Sequence, residues 1–252
     1  MNILALETSG SLGTVALRHG EHSFQVNITV HQQQIACILE LIDELLQRCQ
    51  LQIKDLDYLA FSAGPGSFTG IRIALGVVQG IALATNKSVI AISSLQCLAQ
   101  TSWRLLQQKC VVPCINAYME QVYWGCYELD EQGIMQPTQP DQVSAPQEVF
   151  PPHPSLPPQA REGTGGFEFS SLCEARGRAR VGVGNGWQVY AQKIAQTVQK
   201  QLIHCNPEIV TQAYDLLILA EVAALKGAAK AIDDIAPYYL RDKDAWRKIV
   251  LK

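Results

Sequence analysis

The run Asn2–Glu7 is apolar from Ile3 to Leu6 and predicts a short buried strand. Gly10 and Gly13 frame a turn, and 14–18 and 22–30 continue as strands of a hairpin meander. From His31 to Cys49 the period changes. Ile35, Ile38, Leu39, Ile42, Leu45 and Leu46 fall on one stripe of a helix. Leu56–Ser62 predicts another buried strand, 70–84 a helix, 89–92 a strand, and 93–107 a helix that Ser93 or Ser94 can cap. A meander followed by strand–helix alternation predicts an α/β layout.

A second unit begins near Cys110, dividing the chain into domains at 1–107 and 108–252. In it, 111–117 and 121–129 predict two strands around a turn. Between 136 and 158 stand eight prolines in twenty-three positions, so this stretch and the glycine-containing segment to Gly177 predict a surface loop inserted in the second domain. Order resumes with a strand at 179–183 and a helix from about Trp187 to Gln201. A last helix, 213–226, can be capped by Thr211, and the segment around 211–228 is placed to pack back on the first domain. The tail 235–241 reads as extended. No repeat of 20–50 residues is present, and the two halves share only a coarse β-then-α character.

Composition narrows the class. The chain of 252 residues is 48% hydrophobic and 17% charged, with a net charge of −3, which describes a globular protein and not a nucleic-acid binder acting alone. The eight cysteines lack paired spacing and sit in apolar patterns, as free buried thiols do. Met1–Leu6 carries no basic leader, and the longest apolar run, 71–85, contains Arg72 and Gln79. A cytoplasmic protein without a membrane span is the expectation.

Two glycine-bearing segments offer chemistry. Glu7, Thr8, Ser9 and Gly10 put a carboxylate and two hydroxyls at a strand end. They read either as a nucleotide site, with magnesium held through water, or as a turn capping its own backbone. The loop Gly64-Pro65-Gly66-Ser67-Phe68-Thr69-Gly70-Ile71-Arg72 opens a helix. It lacks the lysine of a Walker loop and the spacing of a dinucleotide fingerprint, so phosphate contact and tight packing stand level. The helix behind it is apolar on nearly every face, and Gly76, Gly80 and Ala84 give it a smooth edge. With Ala36, Cys37 and Leu41 outside the stripe of the preceding helix, that surplus surface points to a protein partner or to cover by the second domain. No histidine pair has metal spacing, and Cys110 with Cys114 lacks a second ligand pair. Asp215, Glu221, Asp233 and Asp234 read as solvated charges. No catalytic set emerges.

Together, Ile3–Ser9, the Gly64–Arg72 loop, Ile92-Ser93-Ser94-Leu95, Asn116-Ala117, Glu120–Trp124, Gly182–Gly186 and Pro237–Arg241 resemble the TsaB (YeaZ) family. The match is dense over residues 1–105 and patchier beyond. The resemblance implies an actin-like ATPase (ASKHA, ribonuclease H-like) fold of two domains. It implies a non-catalytic subunit that binds and scaffolds TsaD, the subunit that makes threonylcarbamoyladenosine next to the tRNA anticodon. TsaE, a P-loop ATPase, is the further partner; tRNA is met only through the complex, and self-dimers use the same face as TsaD. On this resemblance the partner interface comprises His31, Ile35, Ile38, Leu39, Ile42, Gly66, Ser67, Phe68, Thr69, Arg72, Ile73, Gly76, Val77 and Gly80. Ser94 and Leu98 stand where TsaD carries two metal-binding histidines, so no metal and no independent catalysis are expected. No cofactor is firmly implied, with ATP or ADP confined to the TsaD junction. The chain departs from the family at Glu7, where Asp is usual, and at Asn116 and Tyr118, where Asp and Arg are common. The competing reading is an enzyme acting alone, an actin-like ATP-dependent phosphotransferase or a metallopeptidase.

Overall fold

The computed structural model describes residues 1–28, 34–149, 180–194 and 202–240, with the side chains of 34–37 and 203 excepted. In the first half, β1 (Asn2–Glu7), β2 (Gly13–His19) and β3 (His22–Ile28) form an antiparallel meander. Helix α1 (Gln34–Arg48), β4 (Tyr58–Gly64), α2 (Phe68–Thr85), β5 (Ser88–Ser93) and α3 (Ser94–Leu106) follow. The sheet order is β3-β2-β1-β4-β5, with β4 parallel to both β1 and β5.

The alternation along β1 decides which layer lies on which face. Leu4 and Leu6 join Val15, Leu17, Leu59 and Phe61 under α1 and α2. Ile3 and Ala5 point the other way, with Ala16, Ala60 and Ile90, toward a helix from the far end of the chain. A strand buried on both faces is apolar along its buried run, as β1 is from Ile3 to Leu6.

The second half contributes β6 (Cys110–Tyr118), β7 (Gln121–Trp124), β8 (Tyr127–Leu129), β9 (Met135–Pro137), β10 (Gln142–Ser144), β11 (Arg180–Val183), the short α4 (Gly186–Val189), β12 (Leu202–Asn206) and α5 (Ala213–Leu225). Three expectations are corrected here. The strand 121–129 is broken at Gly125-Cys126, where a side chain on Gly125 would meet Asp141 Oδ1 at 2.5 Å. Residues 135–149 are not all loop, since β10 pairs with β7 and β9 with β8. The helix beginning at Gly186 ends by Val189 and turns follow to Ile194; residues 195–201 of the expected helix lie outside the described residues, and 202–206 forms a parallel strand beside β11. Residues 150–179, most of the expected insertion, lie outside the described residues.

Taking β7 with β8 and β9 with β10 as interrupted strands, the second sheet repeats the order of the first. A meander edge is followed by β6, then β11 and β12 in parallel. The halves therefore share a topology, not merely a coarse resemblance.

Between the sheets lie α3 and α5. Helix α3 sends Leu95, Leu98 and Ala99 onto Val111, Val181 and Val183 of the second sheet. Helix α5 packs on β1, β2 and β5 of the first, with Leu216, Leu217 and Ala220 buried. Arg104 of α3 clamps Asp215 of α5 through two hydrogen bonds of 2.8 Å and donates a third to Gln212. Asp215 is fully buried, correcting the expectation that it is solvated, while Glu221 pairs with Arg18 at 3.0 Å and keeps 28% of its side chain exposed. Asp233 and Asp234 are exposed. A second joint lies at the start of α3. Ser93 Oγ caps the helix by accepting from the amides of Leu95 and Gln96 and donates to Asp141, which also receives the Tyr127 hydroxyl, both at 2.6 Å.

Candidate functional site

The two glycine segments form one packed unit. The Ser67 amide donates to the Ser9 carbonyl at 2.8 Å, and the Thr8 hydroxyl to the Gly70 carbonyl at 2.6 Å. A Cβ on Gly70 would lie 1.8 Å from the Thr8 carbonyl oxygen, and one on Gly66 2.6 Å from that of Ser9. Backbone meets backbone there, which no larger residue permits. Ser67 caps α2 by accepting from the Gly70 amide at 3.2 Å.

This packing turns three of the four expected nucleotide-contacting residues inward. Glu7, Thr8 and Ser9 are buried, and only Gly10 is exposed. Glu7 Oε1 accepts from the amide and the hydroxyl of Ser9, both at 2.6 Å, while Oε2 has no hydrogen-bond partner. Burial pushes the Glu7 carboxyl above its ordinary value, and the polar Ser62 and Ser9 groups beside it oppose that shift only in part.

Helix α2 spans 18 residues with mean hydropathy 1.5, enough by length and composition to cross a membrane, and longer than the sequence pattern predicts. One face is committed to the protein core. Ile71, Ala74, Val78, Ile81 and Ala82 are buried, and the helix packs against β4. The opposite face is open. Leu39 of α1 with Phe68, Thr69, Arg72, Ile73, Gly76, Val77 and Gly80 lines a groove of about 670 Å³, which Ile81 also reaches from the buried face. Leu39 is 57% exposed and Phe68 49%, large values for apolar side chains. Added Cβ atoms on Gly76 and Gly80 would touch nothing within 4 Å. The glycine edge thus faces outward and closes no contact within the described residues. At one end of the groove the Arg72 guanidinium lies over the Phe68 ring, 3.6 Å from its centroid.

Of the residues expected at a partner interface, the groove gathers Leu39, Phe68, Thr69, Arg72, Ile73, Gly76, Val77 and Gly80. Ser67 is exposed beside it as the helix cap, whereas Gly66 is half-buried against Ser9. Ile38 and Ile42 are a correction. At 0% and 2% exposure they belong to the core beneath α1, because the stripe that repeats every three to four residues is the one that meets the sheet. Leu39, one step round the helix, stays outside. His31 lies outside the described residues, as does the side chain of Ile35. Ile81 and Leu83, which is 70% exposed, were not among the expected residues; the four-residue spacing from Val77 marks Ile81.

Ser94 Oγ bonds Ser62 Oγ at 2.8 Å, and Leu98 packs in the core. Among the described residues no three His, Cys, Asp or Glu side chains converge as a metal site. Asn116 Oδ1 accepts from the Tyr118 amide and the Tyr190 hydroxyl, and so organises the hairpin tip between β6 and β7.

Comparison with known proteins adds ancestry to this geometry. The family model for TsaD, tRNA N6-adenosine threonylcarbamoyltransferase, matches residues 29–249. The tRNA threonylcarbamoyladenosine biosynthesis protein TsaB of Haemophilus influenzae is 30% identical over 251 residues, 99% of this chain and 97% of that protein. TsaB of Escherichia coli is 29% identical over 252 residues, 99% of this chain and 98% of its own length. The solved structure of YeaZ from Pseudomonas aeruginosa superposes with a TM-score of 0.78 at 30% identity, covering 95% of this chain and 99% of that one.

Proposed function

The chain belongs to the TsaB (YeaZ) family and has its two-sheet, actin-like fold, and on that premise we propose that it serves threonylcarbamoyladenosine biosynthesis on tRNA as a non-catalytic subunit that binds and scaffolds the TsaD-type transferase. One observation carries the reading: α2 is apolar on both faces while the described residues cover only one. An uncovered groove floored by glycine and valine lets a second helix approach closely, and burying it removes the exposed Leu39 and Phe68 from water. The same face serves a self-dimer when the transferase is absent, so the two assemblies compete. TsaE joins the complex, tRNA is met through it, and the assembly works in the cytoplasm.

The absence of a catalytic role is supported by the residues at the start of α3. Ser94 is spent on a buried hydroxyl pair and Leu98 on the core, where the transferase lineage implies imidazoles. A nucleotide, if bound at the junction, meets Gly10 and the exposed turn after it rather than the enclosed Glu7.

The test is co-purification of full-length Gly76→Arg and Gly80→Arg chains with the transferase subunit. Both positions are open to solvent, so the arginines leave the fold intact by circular dichroism and abolish the complex. Retention of the partner by both variants refutes the reading.

A further inference from the structure

The tail segment Pro237-Tyr238-Tyr239-Leu240 belongs to no helix or strand, yet it is fastened to the glycine loop. The Tyr238 amide donates to the Ala63 carbonyl at 2.8 Å, and its hydroxyl donates to the Ala91 carbonyl at 3.1 Å. One residue thereby ties β4 to β5 near their carboxyl ends. The Tyr238 carbonyl oxygen lies 3.0 Å from where a Cβ on Gly64 would stand, and Gly64 has φ +110°. The backbone angle therefore calls for glycine at that position, and the strap leaves little room for a side chain. The neighbouring Tyr239 ring sits against Phe68, with centroids 6.5 Å apart and planes inclined by 41°, a favourable tilted aromatic contact. Phe68 carries Arg72 on its face, and both side chains line the end of the groove.

We propose that residues 235–240 form a strap that presets the Phe68–Arg72 end of the groove, so that partner docking on α2 and strap docking on Ala63 and Gly64 strengthen each other. The inference rests on the groove being the partner site. Its physical basis is preorganisation. Phe68 is half-exposed, and a partner that must first order this ring and the guanidinium stacked on it loses affinity. The strap orders them beforehand, and by linkage a bound partner tightens the strap by the same factor. Tyr239 acts as a positioning residue through Phe68.

The experiment titrates full-length chains with the purified transferase subunit. Tyr239→Ala weakens binding about two- to tenfold, the range an aromatic pair supplies, and Tyr239→Phe binds as the unaltered chain does. Tyr238→Phe, which deletes only the hydroxyl bond to Ala91, weakens it in the same direction. Reciprocally, hydrogen exchange of the Tyr238 amide in the unaltered chain slows when partner is saturating. Full affinity in Tyr239→Ala and Tyr238→Phe, with loss in Gly80→Arg, overturns the strap while the groove stands. Full affinity in Gly80→Arg overturns the groove and the strap with it. Should Tyr239→Ala lower overall stability, the Tyr238 amide decides: exchange unchanged by partner overturns the proposal.

Discussion

Replacing Gly76 and Gly80 with alanine separates a glycine edge kept for a partner from one needed by the fold. Both residues lie inside α2, with φ outside the left-handed region, and a Cβ on either meets nothing within 4 Å. Alanine is favoured over glycine in a helix interior by about 0.8–1 kcal/mol, and no steric term opposes that gain here. The double variant is therefore more stable than the unaltered chain by about 2 kcal/mol, which for a chain of this size raises Tm by about 4–8 °C. Binding moves the opposite way. Two methyl groups on the edge keep an approaching helix from seating, and affinity for the transferase subunit falls about tenfold or more. The assays are thermal unfolding followed by circular dichroism and a binding titration on the same preparations. A lowered or unchanged Tm refutes the structural premise, because it means these glycines pack within the chain. A raised Tm with undiminished affinity refutes the functional one.

Gly70→Ala gives the contrary result, since its Cβ falls 1.8 Å from the Thr8 carbonyl; the loop lifts off the Glu7 turn at a cost of roughly 3 kcal/mol or more, read as a Tm drop of about 6–12 °C. Arg104→Ala strands a fully buried Asp215 and costs about 3–5 kcal/mol in denaturant unfolding. Asp215→Ala strands an arginine that is 32% exposed and costs less, and replacing both with leucine recovers most of the loss. Equal costs for the two single variants count against this account of the joint. Glu7→Gln tests the buried carboxyl. Because burial raises the folded-state pKa, the folded chain keeps its proton longer than the unfolded one, and stability falls as pH rises from about the ordinary value of 4.5 through the raised value. The glutamine variant lacks this slope, so its stability relative to the unaltered chain grows across that window; a difference independent of pH rejects the assignment.

Much of the first half was legible in the sequence because its signals are local. The unbroken apolar run of β1, the stripe of α1 and the serine at the head of α3 each fix an element within a few residues. The Gly64–Arg72 loop marks the family because three glycines must meet fixed neighbours at once, and few sequences satisfy that. Even the excess apolar surface of α2 was visible, since a helix without a polar face advertises two contacts.

What periodicity could not assign was which contact each face makes. Ile38 and Leu39 are adjacent and equally apolar, yet the sheet takes one and leaves the other in solvent. Asp215 reads as a surface charge until Arg104, 111 residues away, is placed beside it. The repeated strand order was hidden because Gly125 and the prolines break the second sheet into pieces too short to carry a pattern. The tail reads only as extended, because its hydrogen bonds lie on carbonyls contributed by the distant strands β4 and β5. Sequence alone determined the elements of the first half, the lineage and the existence of spare apolar surface. Only the tertiary structure decided that this surface is the groove along α2, because exposure depends on which distant segments arrive to cover a face, and none of the described segments covers this one.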